Sequence, residues 1–325
     1  MTESEVIIVG GGPAGSSCAR ELVRLGKECL VLDREEFPRE KLCGGWLTPE
    51  TVEDLELEPD SYPHGFLTFE KMRVHFPGLS FSLDTTQHSI RRYEFDAWLL
   101  QRSGAPIEAH AVREISMDGD GYILDGRYRC RYLVGAGGTR CPVYRNLFRE
   151  SNPRGDELQV VAQELEFDYP WQDPRCHLWF FRHSLPGYAW YVPKENGYLN
   201  IGVGAMASRL KSRDDHIKHH WENLCEELGK AGLVTTDIPA PGGYSYYVRS
   251  GVDIGRLGNA FVIGDSAGLA TRDLGEGIGP AVHSGLVAAR AIATGAPYSL
   301  DSVKRYSGGN RWMRRGLEYL MLGAS

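Results

Sequence analysis

Residues 5–15, EVIIVGGGPAG, decide how the rest of this chain folds. Val6–Val9 is an unbroken apolar run, long enough for a buried parallel strand and too short for a helix. Gly10, Gly12 and Gly15 follow in G-x-G-x-x-G spacing, and Pro13 and Ala14 open a helix that runs through Ser16 to Leu25. Glycines here let the backbone turn sharply and approach a pyrophosphate, which then meets the free N–H groups of the helix. A second apolar strand, Cys29–Leu32, ends at Asp33, 18 residues after Gly15. That is close to the spacing of an acid that accepts a ribose hydroxyl. The glycine pattern alone would suit a turn that merely packs a helix on a sheet; strand, helix, strand and acid together read as a dinucleotide site.

Beyond Asp33, REEFPREKLCGGWLTPE (34–50) is an irregular loop, broken by Pro38 and Gly44-Gly45. Thr48-Pro49-Glu50 reads as the capped start of a short helix to about Leu57. Two strands are expected over Lys71–Phe76 and Leu79–Leu83, around a turn at Pro77-Gly78. RRYEFDAWLLQ (91–101) places Phe95, Trp98 and Leu99 on one helical face. Ile107–Met117, Gly121–Leu124 and Tyr128–Val134 read as strands. A strand-rich, aromatic block follows from Leu158 to Val248, interrupted by a polar helix near Asp214–Leu228. The strand–helix signature then returns at AFVIGDSAG and the helical run Ile278–Thr294.

The fold class is therefore α/β: a Rossmann-like nucleotide-binding domain split by insertions, facing a second, mixed-sheet (α+β) substrate domain. The expected boundaries are 1–65, 90–156 and 252–299 for the first, and 66–89 with 157–251 for the second. Residues 300–325 form a C-terminal helical tail. It is basic, with Lys304, Arg305, Arg311, Arg314 and Arg315. Trp312, Met313, Leu317, Leu320 and Met321 share part of one helical face. Docking on its own core, on a second subunit or on an anionic membrane surface all fit that pattern.

With 325 residues there is ample length for a core, and a net charge of −7 argues against nucleic acid. Seven cysteines, odd in number and without a C-x-x-C pair, suit a reduced, cytoplasmic chain. No signal peptide precedes the first strand, no run approaches the length of a spanning helix, and no metal site is expected. Gly202-x-Gly204-x-x-Ala207 imitates a second dinucleotide fingerprint but continues a strand of the aromatic block.

Four stretches, GGGPAGSSCA, KLCGGWLTP, PGYAWYVPKENGYLNIGVG and VIGDSAGLATRDLGEGIGPAVHSG, carry a resemblance supported by RYEFDAWL. The chain resembles flavoproteins of the geranylgeranyl reductase family, within the p-hydroxybenzoate hydroxylase-like group of FAD enzymes. The resemblance implies FAD as cofactor. Its contacts would come from Gly10, Gly12, Pro13, Ala14, Gly15, Asp33, Arg34, Cys43, Gly44, Arg92, Val112, Asp265, Gly277 and Ile278. The residues just after Gly275 would open a helix whose amides face the flavin O2 and N1. A lone cysteine is commonly a small buried hydrophobe. Family likeness instead puts Cys43 beside the isoalloxazine, as a catalytic group of the substrate pocket. Trp46, Tyr188, Trp190 and Pro193 would line a cavity for an isoprenoid chain, where residues alone suggest alternating sheet core. The chain departs from the family at Gly137-Gly138 and in a shorter C-terminus.

The implied activity is reduction of C=C bonds in an isoprenoid-like, apolar substrate by hydride from reduced flavin, with NAD(P)H or a ferredoxin as electron donor. A flavin monooxygenase or halogenase shares the FAD motifs and is the enzymatic alternative. Halogenases of this group carry Trp-x-Trp-x-Ile-Pro, where this chain has Tyr188, Trp190, Val192 and Pro193. A flavin-containing lipid-binding protein without turnover is the alternative from another class.

Overall fold

The structure, a computed structural model, describes residues 1–305 and 315–319. The chain begins with β1 (Thr2–Val9), α1 (Pro13–Arg24), β2 (Cys29–Asp33), β3 (Trp46–Leu47) and α2 (Pro49–Asp54). It continues through β4 (Leu67–Phe76), β5 (Leu79–Ser89), α3 (Arg92–Arg102), β6 (Ile107–Ala109), β7 (Ile115–Asp118), β8 (Gly121–Leu124) and β9 (Tyr128–Gly135). Then come β10 (Gln159–Asp168), β11 (Cys176–Phe180), β12 (Gly187–Lys194), β13 (Tyr198–Met206), α4 (Ala207–Ser212) and α5 (Ile217–Lys230). β14 (Gly242–Tyr247), β15 (Arg256–Leu257), β16 (Ala260–Val262) and α6 (Ile278–Thr294) complete it.

The strands form two sheets. The first runs β15-β16-β9-β1-β2-β6, with β8 and β7 hairpinned beyond β9. Its centre is parallel: β1 pairs with β2 and β9, β9 with β16, and β2 with β6. Val6, Ile7 and Ile8 are fully buried, as an unbroken apolar run in a strand covered on both faces requires. α1 and α6 cross closely: a Cβ at Gly285 would stand 2.4 Å from the carbonyl oxygen of Ala14.

The second sheet runs β14-β10-β13-β12-β11-β4-β5-β3 and is antiparallel except where β11 meets β4. Period-2 alternation divides its two faces. Tyr191, Leu199, Ile201 and Val203 pack against Trp221, Leu224 and Leu228 of α5. Trp190, Val192, Ala162 and Leu178 point the other way, in a core with Phe69, Met72 and Val74. Both faces are buried, and the second one looks towards the first sheet.

Three expectations are revised. The hairpin is longer than Lys71–Leu83, because its polar ends pair regardless, through a register shift between Phe69 and Lys71. The strand expected over Ile107–Met117 is two, β6 and β7. Between them the Asp125 carboxylate accepts from the amides of Arg113 (3.1 Å) and Glu114 (2.7 Å), diverting them from a ladder. Trp46–Leu47 pairs with β5 in the second sheet, although 1–65 reads as one nucleotide-binding segment; two residues carry no periodicity to betray this. Gly202–Ala207 does continue β13 into α4.

Of the basic tail, residues 315–319 are helical, and Leu317 is buried against the core containing Trp190 and Met72. Arg311, Trp312, Met313, Arg314, Leu320 and Met321 lie outside the described residues. Among the described residues no helix is long and apolar enough to cross a membrane.

The tightest constraint in the nucleotide-binding half is at Gly15, where a Cβ would lie 1.8 Å from the Gly10 carbonyl oxygen. Gly15→Ala must push α1 away from the β1 turn, a cost of about 1–3 kcal/mol. A fall in the urea midpoint at constant m measures it; an unchanged midpoint refutes the packing argument.

Candidate active site

A cavity of about 920 Å³ opens between the two sheets, at the upper end of the size range of small-molecule sites. One end is built by the β1 turn. Gly10, Gly12, Pro13 and Ala14 line it, with Asp33 and Arg34 at the end of β2. Gly12 caps α1 without a side-chain hydrogen bond, so the first amides of the helix are uncommitted donors. Asp33 is buried, and its carboxylate accepts from the Gly11 amide at 2.6 Å and the Glu35 amide at 2.9 Å. It fixes the glycine turn while facing the cavity. Gly15 is not on the wall; it serves the contact between α1 and β1.

From the far side of the first sheet, Asp265 and the start of α6 reach the same space. Gly277, Ile278, Val112 and Arg92 all line it. A Cβ at Gly277 would be 3.4 Å from Asp265 Oδ1, which places that acid beside the helix start. The helix opens at Ile278, and the Gly279 amide donates to Glu276 Oε1 at 2.7 Å. An amide expected to face the flavin is thus met by a carboxylate of the chain itself. Burial pushes the Glu276 carboxyl up to about 8, against the amides it accepts from. Its Oε2 is buried with no hydrogen-bond partner among the described residues.

Cys43, Gly44 and Trp46 form the middle of the wall. Their turn is held from three directions. Gly45, at φ +61°, has no room for a Cβ, which would lie 2.1 Å from the Ile90 carbonyl oxygen. The buried ammonium of Lys194 donates to the carbonyls of Ile90, at 2.8 Å, and Gly44. Asn200 Nδ2 donates to the Cys43 carbonyl at 3.3 Å, while its Oδ1 accepts from Trp190 Nε1 at 2.7 Å. Arg92 makes a two-pronged pair with the fully buried Asp96, at 2.6 and 2.8 Å. Burial disfavours the charge on Arg92, but Asp96, with Cys43 beside it, outweighs that and holds it charged.

The other end is aromatic. Tyr188, Trp190, Leu178, Val192 and Tyr246 line it. The Tyr188 hydroxyl donates to the Leu274 carbonyl, tying the sheet to the loop before α6. Trp46 is fixed by Nε1–H donation to Gln87 at 2.6 Å. Pro193 stays off the wall: strand alternation turns it away, and its carbonyl accepts from Ser89 at 2.7 Å. Lys41, Glu164, Tyr244 and Glu276 line the cavity without having been singled out from sequence. Lys41 lies two residues from Cys43, and Glu164 interrupts a largely apolar strand; those were the available signals.

A phosphate-compatible helix start, an acid at the second strand end and an elongated cavity between two sheets fit FAD. The comparisons with known proteins agree. A sequence profile described as FAD binding domain matches residues 3–57. Menaquinone reductase of Mycolicibacterium smegmatis is 29% identical over 323 residues, covering 90% of this chain and 77% of its own. An uncharacterized protein of Methanosarcina barkeri is 30% identical over 308 residues, covering 90% and 76%. Digeranylgeranylglycerophospholipid reductase 2 of Methanosphaera stadtmanae is 25% identical over 333 residues, covering 94% and 82%. A geranylgeranyl bacteriochlorophyll reductase-like crystal structure from Thermoplasma acidophilum superposes with a TM-score of 0.77. It is 18% identical and covers 99% of this chain and 83% of that one.

The chain belongs to the geranylgeranyl reductase family of FAD proteins. It is an FAD-dependent oxidoreductase of that family, with the α/β fold expected of one.

The Arg92–Asp96 pair sets a test of how this family member holds its cavity wall. Arg92→Met leaves a buried carboxylate with only Arg39, at 3.3 Å, to answer it among the described residues. Breaking such a pair costs about 3–5 kcal/mol. Equilibrium urea unfolding of the variant reads this loss; unchanged stability would show that Asp96 does not depend on Arg92.

Proposed function

We propose that this protein reduces C=C bonds in an isoprenoid-like, apolar substrate. The observation that carries the reading is the continuity of one cavity. It joins the glycine turn and Asp33 to an aromatic wall of Tyr188 and Trp190, with Cys43-Gly44 at the junction. The named substrates of two relatives, menaquinone and a digeranylgeranylglycerophospholipid, each carry polyprenyl chains, which supports an apolar substrate at that wall.

In this reading Gly10, Gly12, Pro13, Ala14 and Asp33 hold the adenosine and pyrophosphate part of FAD. Arg34 lies at its outer end, and Arg92, Val112, Asp265, Gly277 and Ile278 flank the remainder. When bound and reduced, the flavin supplies hydride to one alkene carbon. Cys43 and Gly44 bring backbone and thiol close to the reacting carbons. Tyr188, Trp190 and Trp46 orient the chain and keep water from it. NAD(P)H or a ferredoxin supplies the electrons, and contact with a membrane surface would suit a lipid substrate.

Loss of the Asp33 carboxylate should weaken FAD binding by about 1–3 kcal/mol, because charge-assisted hydrogen bonds are removed. Flavin fluorescence on dilution of Asp33→Ala measures it; wild-type affinity would reject the assignment.

The reaction is tested with photoreduced enzyme under strict anaerobiosis and a prenyl lipid that carries no quinone. Product gains two hydrogens per bond and contains no new oxygen or halogen. Cys43→Ser keeps its flavin and slows about tenfold, equivalent to ~1.4 kcal/mol of transition-state stabilisation. Product that forms only after oxygen is admitted would establish the monooxygenase or halogenase reading instead, and lipid bound but never altered would establish a carrier.

A further inference from the structure

Glu164 occupies a position in the cavity that the proposed chemistry has not yet used. It lies on the cavity side of β10, across Gly202 of β13 from Trp190 of β12. A Cβ at Gly202 would stand 2.2 Å from the Trp190 indole and 2.7 Å from Glu164 Cβ. The indole therefore lies over the glycine, with the stem of Glu164 on one side. Near its Nε1 is the Cys43 turn: a Cβ at Gly44 would be 3.8 Å from Trp190 Nε1, and Asn200 bridges Nε1 to the Cys43 carbonyl. A flat alkene resting on the indole would lie near both the Cys43-Gly44 turn and Glu164, which line the same cavity.

Glu164 is 3% exposed, and no hydrogen bond to its carboxyl is found among the described residues. A buried carboxylate without hydrogen-bond donors is costly, whereas the neutral acid is not. Three of the other acids on the wall accept hydrogen bonds from the chain, Glu276 through one oxygen only. Asp33 accepts two amides, Glu276 caps α6, and Asp265 accepts from Tyr244 at 3.4 Å. The Tyr188 hydroxyl is committed to Leu274.

We propose that Glu164, held beside Trp190 across Gly202, is the catalytic acid that protonates the second alkene carbon. This rests on the reading that the substrate is an alkene reduced in this cavity. Hydride reaches one carbon from reduced flavin, the π bond breaks, and its electron pair takes the proton from the Glu164 carboxyl. Two C–H bonds form, the flavin is oxidised by two electrons, and the carboxylate recovers its proton from water.

The surrounding charges agree with this role. Burial pushes the Glu164 carboxyl up to about 7, against the attraction of Lys41, Lys194 and Arg92 and with Glu166 adding to the rise. Burial brings Lys41 down to about 8, and its ammonium lies over the Tyr244 ring at 3.0 Å. Tyr188 of β12 and Tyr246 of β14 share the cavity wall with Glu164; burial raises both phenols, so they stay neutral. The acid form is present below about pH 7 and is lost as pH rises through it, so the proton-transfer step slows above neutrality.

The test is anaerobic single turnover of photoreduced holoenzyme with a digeranylgeranyl glycerolipid, which has no quinone to accept the electrons instead, read by flavin reoxidation and product mass. Glu164→Gln should slow reoxidation about 100-fold or more. Wild type should lose rate above about pH 7, the variant should lose that dependence, and Glu164→Asp should recover part of the rate. A readout independent of turnover is the infrared carbonyl band of a protonated carboxylic acid in holoprotein. It should titrate near neutral pH and be missing in Glu164→Gln. A glutamine variant with wild-type rate and pH profile, or holoprotein whose band is unchanged by the substitution, overturns the role of Glu164 alone. Wild-type enzyme that never reoxidises with substrate overturns the alkene-reductase reading and this role with it.

Discussion

The site depends on one buried ammonium. Lys194, on the last residue of β12, is 1% exposed and reaches two carbonyls, those of Gly44 and Ile90. These belong to the loop leaving the nucleotide-binding sheet and to the residue that leads into α3. A cation removed from water must find oxygen ligands, and here they are offered by two segments that would otherwise meet only by packing. Burial lowers the basicity of Lys194, while Glu166, Cys43 and Glu164 oppose that loss. The Cys43–Gly45 turn is consequently fixed relative to the aromatic sheet, and Gly45 is glycine because Ile90 and Lys194 fill the place of its Cβ.

Charge is distributed unevenly around the cavity. At the nucleotide end, acids and arginines are paired or bonded to backbone amides, as with Asp33, Asp96 and Arg92. Towards the aromatic end, burial raises the Glu164 carboxyl to about 7 and lowers Lys41 to about 8, although the Lys41 ammonium meets the Leu42 carbonyl at 3.3 Å and the Tyr244 ring. The first arrangement preserves charge and shape. The second is the arrangement expected of groups that exchange protons near neutrality.

Much of this was legible in residue order. Val6–Val9, the glycine spacing, Asp33 and Ile278–Thr294 announce a nucleotide-binding α/β half, because local geometry and short-range periodicity specify each piece. The split of that half by strand-rich insertions was visible as well, since blocks of alternation and helix periodicity follow one another along the chain. The hairpin ends and Trp46–Leu47 were less legible. Their pairing is decided by partners 18 to 43 residues away, and their polar or two-residue patterns carry no local signal.

Sequence by itself determined the glycine turn, the acid that braces it and the aromatic strand, because each is a feature of neighbours in the chain. Tertiary structure decided which side chains share the cavity. Gln163 and Glu164 are adjacent and both polar, and only the sheet's orientation assigns Glu164 to the cavity side. The same alternation turns Pro193 away while keeping Trp190 on the wall. Glu276 was equally silent, since its hold on the Gly279 amide exists only once α6 has begun there. A strand's period of two tells which residues travel together; only the packing of one sheet against another tells which set faces the chemistry.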